Sequence, residues 1–117
     1  MLQVDPARTA VLALHFQQDV VAKEGAFGGP FFAAEVERRG VIPKAARVLE
    51  TARKHGIKVI YTRVCFRPGY PDLIVNSPLF DFVKQTGALV DGSPGAEIIP
   101  ELRPQPGDIV VDHRRAS

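Results

Sequence analysis

The sequence has a single cysteine, Cys65, which excludes an intrachain disulfide framework. It also has almost no excess of either charge: 15 basic against 13 acidic residues leave a formal net charge of +2. The basic residues are dispersed, apart from Arg38-Arg39 and Arg114-Arg115. A nucleic-acid interface needs concentrated phosphate contacts, so this distribution speaks against one. No stretch approaches the ~18 consecutive apolar residues of a membrane span. The opening MLQVDPARTAVLAL lacks a basic leader and places Asp5 ahead of its apolar run, which argues against a secretory signal. A cytoplasmic protein is expected. The glycines of GAFGG and DGSPG have neither the dinucleotide spacing nor the lysine of a phosphate-binding loop. There is no internal repeat and no low-complexity tract.

What remains is enough for one compact domain: 117 residues, 45% of them hydrophobic and 24% charged. TAVLALHF, residues 9–16, is a nearly continuous apolar run, as expected of a parallel strand covered on both faces. VAKEGAFGGPFFAAEVERRG, residues 21–40, is rich in glycine and reads as a turning segment whose end begins a short helix or leads into the next. IPKAARVLETARKH, residues 42–55, predicts a helix: Ile42, Ala45, Leu49 and Ala52 share one stripe. Pro43 suits its first turn, and Gly56 follows as a stop. IKVIYTRVCF, residues 57–66, reads as a second strand. RPGYPD then forbids regular structure, a short helix is expected over 78–86, and DIVVDH at 108–113 reads as a third strand. Strand, helix and strand in this order make a right-handed βαβ unit of an α/β fold, three-layered (αβα) and Rossmann-like, with a parallel sheet. Strand one is too apolar for an unprotected edge, and no covering helix follows strand three within the sequence. The expectation is an incomplete half of a larger, six-stranded domain, partnered by the missing C-terminal half or by further copies of the chain.

Open parallel sheets bind ligands beyond the carboxyl ends of their strands. Those ends carry His15 to Asp19, Arg63 to Arg67, and His113 to Arg115. His15 and His113 sit at equivalent heights on strands one and three. They can form a general-base pair or share a metal, or each can simply pack and bond to nearby backbone. A third ligand is not in evidence, so the expected metal set is none. Asp19 can orient His15 or cap the following segment. Arg63 and Arg67 can fork onto an anionic substrate or stand in solvent. Cys65, between apolar neighbours, reads as a small buried hydrophobe before it reads as a nucleophile. His55 falls at a helix C-terminus, where it complements the dipole.

Three segments together resemble the isochorismatase-like cysteine hydrolases. TAVLALHFQQDVV is similar to that family's opening strand, an apolar run followed by Asp-Met-Gln-Asn-Asp-Phe. HGIKVIYTRVCFRPGYPD resembles its second strand and outgoing loop. GALVDGSPGAEIIPELRPQPGDIVVDHRRAS resembles the segment in which a Gly-Ala-Glu turn and a proline-rich turn precede a strand, a lysine and Ser-Ala-Phe. The resemblance implies that residues 1–117 are the N-terminal part of a single domain with a six-stranded parallel sheet. It implies hydrolysis of a small amide, or a related C–N or ester bond, by cysteine-dependent acyl transfer without a cofactor. It places His15 where the family has its aspartate and His113 where it has its lysine, with the nucleophile beyond Ser117. Gln17 and Asp19 match the opening motif. With Phe16, Arg63 and Arg67 they are the expected pocket residues for a small-molecule substrate. The alternative is a catalytically inactive member, serving as a small-molecule binding protein or a structural, oligomerising one.

Overall fold

The computed structural model describes residues 2–115, so the last two residues of the terminal RRAS stretch lie outside it. In chain order the elements are β1 (Ala10–Leu14), α1 (Gln18–Val21), α2 (Ala33–Arg38), α3 (Val41–Lys54), β2 (Lys58–Val64), α4 (Pro78–Thr86) and β3 (Ile109–His113). The three strands are parallel and lie in the order β1-β2-β3. The fold is α/β with a Rossmann-like parallel sheet, as the alternation of apolar runs and amphipathic helix predicts.

The helix boundaries follow local chemistry. Gly40 adopts φ +60° ahead of α3, and Pro43 falls in its first turn. His55 caps its C-terminus, with Nδ1 2.9 Å from the Thr51 carbonyl, and Gly56 at φ +72° carries the chain out. α4 begins where Ser77 Oγ accepts the Phe80 N–H at 3.4 Å, with Pro78 at its first position, and it ends at left-handed Gly87. The glycine-rich segment forms a wide turn over Gly28–Phe32 and then α2. EIIPEL contains a single 3₁₀ turn, Pro100–Leu102.

Alternation along the strands sends side chains to two cores. Ala13, Val59 and Tyr61 pack with Leu49 and Ala52 of α3 and with Ile99 and Leu102. Arg53 of α3 grips Asp108 at 2.7 Å and the buried Tyr61 hydroxyl at 2.8 Å, tying helix to sheet. Val64, on the opposite face, joins Phe66 in a second core with Phe27, Leu89 and the α4 residues Phe80 and Val83. That second core covers only the carboxyl end of its sheet face. Further down the same face, Leu12, Leu14, Ile109 and Val111 are 57%, 55%, 43% and 45% exposed. β1, expected inside a wider sheet, is an outer strand here, and its far edge is unpaired among the described residues. No helix among them is long and apolar enough to cross a membrane.

Candidate active site

β1 ends at Leu14, and the next residue, His15, takes φ +60°, a conformation that a residue with a Cβ rarely adopts. Its amide still bonds the Thr62 carbonyl of β2 at 3.1 Å, so the turn is anchored. On the far side of β2, His113 is the register partner of Val64. The two outer strands stand roughly 9–10 Å apart, twice the interstrand spacing. Two imidazole side chains reaching inward close that gap: His15 Nε2 and His113 Nε2 are 3.0 Å apart, with ring centroids at 5.0 Å. One ring donates its Nε2–H and the other accepts it. Burial first, and then the neighbouring His113, hold the His15 pKa below the usual imidazole value. His113 Nδ1 is buried without a partner among the described residues.

Gln17 fixes the ground beneath this pair. Its side chain is fully buried, with Nε2 donating to the Val64 and Ala96 carbonyls, each at 2.9 Å, and Oε1 accepting the Val64 N–H at 2.9 Å. It therefore acts as an extra strand residue at the end of β2. Asp19 neither touches His15 nor caps α1: its carboxylate accepts the Leu89 N–H at 2.8 Å, and the backbone of Gly95 lies so close to it that a Cβ there would collide. Phe16 packs toward the core beneath α3, and its carbonyl accepts the Ile99 N–H at 2.9 Å.

Arg63 precedes Val64 on β2 and so faces the other side of the sheet from the histidine pair. Its guanidinium bonds Asp112 at 2.8 Å and Glu97 at 3.0 Å, with Asp91 at 3.5 Å. Cys65 lies in the same layer, fully buried, with its thiol pushed up to about 11 by burial and then by the Asp112 carboxylate. Cys65, Asp91 and Asp112 bring donor atoms close enough to hold a cation, but the Arg63 guanidinium already pairs with both carboxylates. Arg67 is exposed, 3.7 Å from Asp72, and the same carboxylate takes Arg114 at 2.7 Å. The structure thus brings His15, His113, Gln17 and Asp19 to one end of the sheet and holds Arg63 and Arg67 in separate ion pairs.

Against His15 lies an apolar cavity of about 130 Å³, lined also by Val64, Leu89 and the α4 residues Phe80 and Val83. The inward positions of Phe80 and Val83 follow from helical periodicity. Leu89 follows from nothing local, because it sits at φ +58° between two turns. A larger hollow, about 600 Å³, opens between α2 and the start of α3 and contains none of the candidate residues.

Comparison with known proteins comes from two directions. The family model described as Isochorismatase domain matches residues 9–117. A cysteine hydrolase from Pseudomonas syringae pv. phaseolicola is similar at 26% identity and a TM-score of 0.80, over 97% of this chain and 49% of that one. An isochorismatase family protein from Desulfovibrio vulgaris is similar at 25% identity and a TM-score of 0.71, over 92% and 53%. N-carbamoylsarcosine amidase from Thermoplasma acidophilum is similar at 25% identity and a TM-score of 0.63, over 91% and 51%. The chain spans about half the length of these solved structures.

Proposed function

The chain belongs to the isochorismatase family, and from that premise we propose that the protein is a hydrolase of a small amide, or a related C–N or ester bond, using a cysteine supplied from outside these 117 residues. His15 and His113 handle the proton. The observation that carries this reading is the 3.0 Å contact between the two Nε2 atoms at the carboxyl end of the sheet. Burial, and then the neighbouring imidazole, hold the His15 pKa down, so its ring stays in the neutral form that can take up a thiol proton. The thiol proton moves to the pair, and the thiolate attacks the carbonyl carbon. The C–N bond breaks, with the amine leaving on the proton that the pair returns. Water then cleaves the thioester and frees the acid. Cys65 takes no part, being buried on the opposite side of the sheet with a raised pKa. This chemistry needs no cofactor.

The relatives add support at the family level, one being named a cysteine hydrolase and another an amidase. The test is ammonia release from a panel of small primary amides by the full-length protein, alongside the rate of thiol alkylation. Hydrolysis should be lost on alkylation and fall by about 10²-fold or more in His15→Ala, the ordinary scale of a general base. Alkylation and hydrolysis indifferent to His15→Ala would overturn the assignment of the pair. A protein that binds amides and hydrolyses none is the inactive, ligand-binding member of the family.

A further inference from the structure

Three residues other than glycine adopt a left-handed backbone among the described residues: His15, Tyr70 and Leu89. All three serve one place. His15 and Leu89 line the apolar cavity. The Tyr70 hydroxyl donates to the Ala88 carbonyl at 2.7 Å and lies 3.3 Å from the Val83 carbonyl, clamping the end of α4 to the segment that carries Leu89. That segment is further fixed by Phe66, whose N–H bonds the Leu89 carbonyl at 2.8 Å, and by Asp19 on the Leu89 amide. Unfavourable backbone conformations persist where the surroundings over-determine them, and they concentrate at ligand sites.

The walls have a chemical character. Val20 and Phe27 complete them, with Phe27 set edge-on to Phe82 at 5.0 Å between centroids, while the half-exposed Phe32 and Leu79 form the rim. Apart from His15 every lining side chain is apolar, and none among the described residues carries a fixed charge. The arginines nearest in sequence are committed elsewhere, Arg63 to Asp112 and Glu97 across the sheet and Arg114 to Asp72. An anionic ligand would lose its hydration here and gain no charged partner from these lining residues. The volume, about 130 Å³, is close to that of an apolar protein cavity known to hold benzene, about 150 Å³.

We propose that this cavity is a binding subsite for an uncharged ligand with a compact apolar group, branched alkyl or phenyl, whose polar end meets His15, and that it rejects the corresponding carboxylates. As an account of the substrate this rests on the hydrolase reading, but as a binding site it stands without it. The test is equilibrium binding of isobutyramide and benzamide, against isobutyrate and benzoate, to the purified protein by titration with ligand-observed NMR. The amides should bind at least tenfold more tightly than their carboxylates. Leu79 is half-exposed at the rim, so its replacement leaves the fold intact. Leu79→Trp should weaken amide binding several-fold, and Leu79→Arg should raise benzoate affinity about tenfold by supplying the missing cation. Carboxylates binding as tightly as amides, no measurable amide binding, or indifference to both variants would overturn the proposal. Amide binding without ammonia release would defeat the hydrolase reading and leave the subsite standing.

Discussion

At His15 the chain gives up roughly 1 kcal/mol or more of backbone energy to turn an imidazole toward a neighbour two strands away. The ring is also partly desolvated, and both burial and His113 hold its pKa below 6.5. The consequence for stability has a definite sign. Between 6.5 and the lower folded value the unfolded chain binds a proton that the folded one refuses, so stability complete above pH 6.5 is lost as the pH falls through that window. Asp72, Asp108 and Asp112, whose pKa values are lowered from 3.8, contribute only at the acid end, where their stabilisation disappears as they protonate. Denaturant unfolding at pH 8, 6.5 and 5 should therefore show a fall that is reduced in His15→Asn, asparagine being the residue best tolerated at a left-handed position. An equal fall in both proteins would mean that the proton goes elsewhere. That His15 and His113 stand at matching heights is legible in the sequence. Their meeting at hydrogen-bond distance is not, because it depends on a backbone angle that no local pattern announces.

The elements join through a few polar side chains whose roles are hidden for a related reason. Gln17 follows a strand and is expected as a pocket residue, yet it is fully buried, and one of its bonds reaches Ala96, 79 positions away. Only the closed sheet reveals what it satisfies. Gln17→Leu keeps the volume and strands the Val64 N–H and two carbonyls, each worth about 1–3 kcal/mol when buried without a partner. We expect a loss of about 3 kcal/mol or more by urea denaturation; a loss below about 1 kcal/mol would mean that water replaces the side chain. Where the forces are local, legibility is better. The helix expected over 78–86 spans those residues because Ser77, Pro78 and Gly87 fix both of its ends. The long helix lies within a residue of its expected limits because Gly40 and Gly56 bracket its apolar stripe. The 21–40 segment offered no such brackets, and its wide turn over Gly28–Phe32 depends on glycines that let the backbone pass close to Ala22 and Lys23.

At the scale of the molecule the sheet is unevenly dressed. On one face α3 packs over Ala13, Val59 and Tyr61 of β1 and β2, whereas on the other the aromatic cluster around Phe27 and Phe80 stops short of Leu12, Leu14, Ile109 and Val111. These four lie on one face by strand alternation, and with Ile60 and Thr62 between them they make a largely apolar surface beside the open edge of β1. Burying such a surface gains about 25 cal/mol per Å², and an unpaired parallel strand adds a row of free backbone donors and acceptors. The pairing of an apolar face with an open edge predicts association of the 117-residue chain, with further copies or with a segment that supplies the next strand. Leu12→Lys combined with Leu14→Lys places charge on that face without emptying a core, since both side chains are already more than half exposed. Stability should change by about 0.5 kcal/mol or less per site, as for surface positions generally. Sedimentation across micromolar concentrations should show the native chain self-associating and the double variant shifted toward monomer. Two monodisperse monomers would mean that the face tolerates water as it stands, and the open edge would lose its significance for assembly.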